Sequence, residues 1–147
     1  MIKKLRENLA MYAVLTVLAG GLGAFLWQAV GGGDGETGSA VAVTVPQLSP
    51  AASEGKQAFD AVCAACHGVN AAGSEKGPPL VHNIYNPGHH ADEAFFIAAR
   101  RGARQHHWQF GDMPPQPQVS DEELASIIEY VRELQRANGI VWQQHQM

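Results

Sequence analysis

Three stretches of the chain repeat apolar residues at helical spacing, and no run reads as sheet. Leu124, Ile127, Ile128, Val131 and Leu134 form a stripe at i, i+3, i+4, i+7 spacing, which predicts an amphipathic helix over 121–137. Ser120-Asp121-Glu122-Glu123 ahead of it is a capping box, S-x-x-E, and Asn138-Gly139 stops it. Phe59, Val62, Cys63 and Cys66 share one face of a helix expected over 53–66, which Gly68 lets the chain leave. A shorter helix is expected over 92–101. Asp92 suits its N-cap, Glu93 the positive end of its dipole, and Gly102 its C′ position. Arg100 and Arg101 fall in its last turn, where cations are favoured. These elements predict one small all-α domain over 53–147.

The N-terminal pattern is different in kind. Lys3, Lys4 and Arg6 precede a run without charge from Asn8 to Gly33, largely apolar from Leu9 to Val30. At a rise of about 1.5 Å per residue such a run crosses a hydrocarbon layer of about 30 Å. It is also longer than the roughly 7–15 apolar residues of a cleaved signal peptide. The expectation is a cytoplasmic tail at 1–7 and an uncleaved transmembrane signal-anchor at 8–30. Basic residues stay inside, so the remainder of the chain is sent across. Residues 31–52 are rich in Gly, Ser, Ala, Val, Thr and Pro and predict a flexible linker. Val41, Val43 and Val45 alternate with small residues, but a lone strand without partners is more often extended linker.

Charge narrows the functions. Beyond position 7 the chain carries seven basic and thirteen acidic residues. That balance argues against nucleic-acid binding, which relies on basic surface. Arg100, Arg101 and Arg104 are a local exception.

The chain has two cysteines, and both stand in Cys63-Ala64-Ala65-Cys66-His67. C-x-x-C-H is the attachment pattern of a c-type haem. Two thiols one helical turn apart can each form a thioether to a haem vinyl group, and the next His can bind the iron. A thioredoxin-like pair would need a βαβ context, and a zinc site would need more thiols or a distant pair of histidines; neither is found. Apart from the terminal Met147, Met113 is the one methionine of the expected domain, in the stiff loop Gly111-Asp112-Met113-Pro114-Pro115. Its thioether is a soft ligand that would raise the potential of an iron centre; the alternative is an ordinary apolar loop residue.

Taken together, residues 53–139 resemble the class I cytochromes c. Members have C-x-x-C-H at the end of the first helix, then Gly-Pro-x-Leu, then a loop methionine and a final amphipathic helix. Here these are Cys63/Cys66/His67, Gly77-Pro78-Pro79-Leu80, Met113 and the helix at 121–137. The resemblance implies three to four helices around one covalent haem c. It implies that Cys63 and Cys66 hold the haem and that His67 and Met113 are the axial iron ligands. It further implies that the Pro78 carbonyl accepts the other ring N–H of His67, and that Leu80 packs on the haem. Tyr130 would meet the first helix near Gly55 and Phe59, with Gly55 permitting the close approach.

The histidines depart from that pattern. His82, His89, His90, His106 and His107 include two adjacent pairs. They could hold a second metal such as copper, since imidazole suits such ions. One could replace Met113 on iron, or His107, Trp108 or Arg104 could bond a haem propionate. They could also be solvated or structural imidazoles. Trp108 is expected in the haem surroundings, where a buried indole N–H needs a partner.

The leading expectation is one-electron transfer by a membrane-tethered monohaem cytochrome, an electron carrier rather than an enzyme. Its donor and acceptor would be respiratory or photosynthetic membrane redox complexes, and it would need no small-molecule substrate. The site would be the bacterial inner membrane, single-pass, with the haem domain periplasmic. The alternative is a haem subunit, sensor or copper-handling module that uses His89-His90 and His106-His107.

Overall fold

In a computed structural model of the protein the described residues are 40–144. They belong to one unit spanning 36–147. The tail expected at 1–7, the span at 8–30 and the first part of the linker lie outside the described residues. Among the described residues no helix is long and apolar enough to cross a membrane. The described residues form four α-helices in order: α1 (Pro50–Val62), α2 (Ala64–His67), α3 (Asp92–Arg101) and α4 (Asp121–Ala137). Two short 3₁₀ turns, Val69–Ala71 and Asn83–Tyr85, lie between α2 and α3. No strand occurs among the described residues, only isolated bridges, so the all-α expectation holds there.

Helix α1 begins three residues earlier than the apolar pattern suggests. Ser49 is its N-cap: the Ser49 Oγ accepts the Ala52 N–H at 3.1 Å, and Pro50 sits where its missing N–H costs nothing. The helix pauses at Cys63 and resumes as α2, so the expected 53–66 helix is two pieces that share a backbone in the helical region. The linker expectation needs correction at its end. Val41 N–H donates to the Ala72 carbonyl at 2.8 Å, and Thr44 exchanges two hydrogen bonds with the Asn138 side chain, at 2.9 and 2.8 Å. Val41, Val43 and Leu48 pack against the core. Residues 41–49 are therefore laid onto the domain, without forming a strand.

The core is the crossing of α1 and α4. A Cβ placed on Gly55 would stand 1.8 Å from the Ser126 carbonyl oxygen, so only glycine lets the two backbones approach this closely. One turn on, Phe59 and Tyr130 meet edge to face with ring centroids 5.5 Å apart, both fully buried. Each such side chain contributes about 1.5–3 kcal/mol by leaving water. The pairing geometry adds roughly 1 kcal/mol. Leu124, Ile127, Ile128, Val131 and Leu134 are all buried, as the stripe requires. Both halves of the capping box form: Glu123 N–H to Ser120 Oγ at 3.1 Å, and Ser120 N–H to Glu123 Oε2 at 2.8 Å.

Asp92 does not cap α3. Ala91 is the N-cap and Asp92 is the first helical residue. Its carboxylate is engaged instead by Arg132, whose Nε donates to Asp92 Oδ1 at 2.8 Å. Arg132 lies inside the α4 face, with a side chain only 6% exposed. Its Nη1 donates to the Tyr85 carbonyl at 2.8 Å and to Gln135 Oε1 at 2.6 Å, and Nη2 donates to the His90 carbonyl. The guanidinium also lies 4.9 Å from the centroid of the Phe95 ring. One buried cation thus ties the 85–92 segment to α4, and hydrogen bonds meet the cost of burying it.

Candidate functional site

Cys63 and Cys66 stand one turn apart where α1 gives way to α2, with Cys66 N–H bonded to the Cys63 carbonyl at 3.1 Å. Both are free thiols. Burial, and secondarily the neighbouring Cys66, pushes the Cys63 thiol up to about 11. Disulfide oxidoreductases depend on a lowered thiol pKa, and Cys63 is shifted the other way.

His67 ends α2 and is half-buried. Its Nδ1 lies 2.9 Å from the Pro78 carbonyl oxygen. A carbonyl can only accept, so Nδ1 carries the proton and Nε2 keeps its lone pair. Burial lowers the His67 pKa, and the Pro78 carbonyl partly opposes that. The result is a neutral imidazole fixed in one tautomer, as metal-binding histidines are when a backbone carbonyl orients them. The loop that supplies Pro78 is held under α2. Gly73 N–H donates to the His67 carbonyl at 2.7 Å, and the Ser74 hydroxyl donates to the Cys66 carbonyl. Leu80 is half-buried against the core, and its N–H donates to the Ala71 carbonyl at 2.9 Å.

Met113 sits on a second loop, anchored at the end of α3. Ala103 and Met113 exchange both backbone hydrogen bonds, at 3.0 and 2.9 Å. Gly102, at φ +77°, makes the turn that allows it: a Cβ there would lie 2.5 Å from the Met113 carbonyl oxygen. Asp112 Oδ1 accepts the Gln105 N–H at 2.9 Å and Gln105 Oε1 accepts the Gly111 N–H at 2.6 Å, so the loop is laced internally.

Trp108 lies on the same loop, half-buried and edge-on to His82, with ring centroids 5.1 Å apart. Its indole Nε1 is buried and meets no acceptor. Tyr85 is near enough for its phenol to feel that indole, while burial holds the phenol up at about 12, yet the two do not align as a hydrogen bond. A buried N–H left without an acceptor costs about 1–3 kcal/mol. An anionic group brought to this face would relieve that cost.

The histidines cluster. His89 Nε2 and His107 Nε2 are 3.1 Å apart, and His90 Nδ1 lies 2.7 Å from the Ile84 carbonyl. His106 stacks on His90 at a centroid distance of 5.9 Å. His82 stands apart in function: its Nδ1 accepts the Ile84 N–H at 3.2 Å and caps the second 3₁₀ turn.

The sequence model of the cytochrome c family matches residues 52–135, more than half of the chain. The chain belongs to the cytochrome c family. Haem c, covalently attached, is the cofactor of that family, and electron transfer is its general work. The all-helical arrangement of this cytochrome domain fits the class I fold. No match is found among the curated proteins or among the solved structures. The chemistry present fits a haem: two cysteines one turn apart and not joined in a disulfide, an oriented imidazole beside them, a thioether on a laced loop and a buried indole N–H that lacks an acceptor. Sequence reasoning missed Arg132. Its signal was there, a cation at the helical spacing of the apolar stripe between Ile128 and Gln135.

Proposed function

We propose that this cytochrome carries single electrons with one haem c, held by thioethers to Cys63 and Cys66 and bound axially by His67 and Met113. The observation that carries this reading is the His67–Pro78 hydrogen bond, which leaves Nε2 as the nitrogen offered to iron. When bound, the haem supplies reversible one-electron chemistry between its ferrous and ferric states. The chain's own residues do the remainder. Pro78 fixes the His67 ring, the Ala103–Met113 pairing fixes the thioether loop, and Leu80 excludes water. Trp108 offers its indole N–H to a propionate.

Were His67 and Met113 both to bind the iron, no position would be left for a small-molecule substrate, which favours a carrier over an enzyme. The uncharged run at 8–33 after three basic residues supports a single membrane span with the haem domain on the periplasmic side of a bacterial inner membrane. Partners on this reading are membrane redox complexes that donate and accept the electron. A tether raises their effective concentration in the membrane plane. Carbon monoxide tests the reading in the purified, reduced full chain. Slow, incomplete binding in the wild type and rapid, complete binding in Met113→Ala are expected. Rapid, complete binding by the wild type would show that Met113 does not occupy the iron.

A further inference from the structure

The haem reading does not use the histidine cluster. His89 and His90 come from the turn before α3, and His107 comes from the loop that leads to Met113. A ring nitrogen of each of the three lies within 4.8 Å of those of the other two. We propose that His89, His90 and His107 form a binding site for a divalent first-row transition ion of the Zn²⁺ or Cu²⁺ type, distinct from the haem iron.

Three observations support it. Nitrogens around a tetrahedral ion, at about 2.0–2.1 Å each, stand roughly 3.3 Å apart. The His89 and His107 Nε2 atoms already stand 3.1 Å apart. The third nitrogen must close by about 1.5 Å at most to reach that geometry, and His107 is exposed.

The second observation is the orientation of His90. Its Nδ1 donates to the Ile84 carbonyl at 2.7 Å, because a carbonyl can only accept. That leaves the His90 Nε2 lone pair for a metal. A backbone carbonyl on the far ring nitrogen is the usual outer support of a metal-binding imidazole.

The third is the rigidity of the platform. The N–H groups of His89 and His90 both bond the Asn86 carbonyl, at 3.0 and 2.9 Å. Asn86 is buried. Arg132 holds the His90 carbonyl and the Tyr85 carbonyl from inside α4. A site on such a platform loses little freedom when an ion binds. All three donors are imidazole nitrogens, which suit zinc, copper and nickel rather than calcium or magnesium. A fourth position is left to water. A bound ion would cross-link the 86–90 turn to the Met113 loop.

The test uses the haem-loaded full chain, stripped with a chelator and titrated with Zn²⁺, then desalted and assayed for zinc and iron. About one zinc per iron is expected, with the far-red absorption of the haem unchanged. His89→Ala/His107→Ala should weaken zinc binding by about 10-fold or more, in line with the loss seen when metal-site residues are removed. The unaltered haem spectrum of that variant shows that it is folded. Cu²⁺ in place of Zn²⁺ should give an electron paramagnetic resonance signal split by several imidazole nitrogens, absent from the variant. The proposal is overturned if the wild type retains no zinc, if the double variant binds it equally well, or if zinc is taken up only as the haem spectrum is lost.

Discussion

The α1–α4 crossing and the face formed by residues 82–113 are stabilised in opposite ways. At the crossing every group is satisfied by the chain: a glycine against a backbone carbonyl, an aromatic pair, and an apolar stripe that is wholly buried. Even the Tyr130 hydroxyl has a partner, Asn70 Oδ1 at 3.3 Å. The loop face is polar, carries a buried indole N–H with no acceptor, and gathers four imidazoles. The crossing is a scaffold closed by the chain's own groups, whereas the loop face is arranged around chemistry that the polypeptide does not provide. Substitutions at the crossing should therefore change stability and leave ligand chemistry intact; substitutions at the loop face should do the reverse.

The largest effect is expected at the crossing. Gly55→Ala drives a methyl group into the Ser126 carbonyl and must separate α1 from α4. A loss of about 3 kcal/mol is expected, at the upper end for overpacked cores. Urea unfolding of the haem-loaded protein measures it.

Arg132→Leu comes next. It removes the donors to the Tyr85 and His90 carbonyls, to Gln135 and to Asp92. About 2 kcal/mol is expected, because the part-buried carbonyls lose their partner while exposed Asp92 can turn to water. The same variant should loosen the 85–92 segment, which amide hydrogen exchange would register as faster exchange at His89 and His90.

Tyr130→Phe is smaller. It keeps the ring against Phe59 and loses only the hydroxyl contact with Asn70, for about 1 kcal/mol. The contact steadies the strained Asn70–Ala71 turn, where both residues have positive φ, 56° and 57°.

The smallest effect concerns acid. The Ser120 N–H and hydroxyl hold the Glu123 carboxyl below its ordinary 4.5. A lowered pKa in the folded state gives stability that is present above the unfolded value and is lost as pH falls through the folded one. Unfolding free energies of wild type and Glu123→Gln should therefore converge as pH drops below about 4.5, the carboxyl's ordinary value. A gap that widens in acid would contradict the capping assignment.

Legibility in the sequence followed the range of the interactions. Helix α4 was readable to its ends because its stripe and capping box are contained within 20 residues. The early start of α1 had a local signal too, Ser49-Pro50, that the apolar pattern alone overlooks. The role of Asp92 was not local. A residue suited to an N-cap is drawn off by Arg132, 40 positions away. Docking of residues 41–49 depends likewise on Ala72, Glu133 and Asn138, none of which a composition reading of a linker can supply. At the candidate site, Cys63, Cys66 and His67 announce themselves by spacing. That Pro78 orients His67 followed from the family resemblance and appears in the geometry. The paired histidines were visible as pairs, but which three converge is a property of the turn at 86–90 and the loop at 103–113.

The account rests on one porphyrin fastened through Cys63 and Cys66. The most direct measurement is the haem-linked signal of the chain after boiling in detergent and electrophoresis, following expression with haem-attachment machinery. Wild type should migrate with its haem, at one haem per chain, and Cys63→Ser/Cys66→Ser should run without it. A wild-type band that carries no haem, or a double variant that keeps it, would contradict the account.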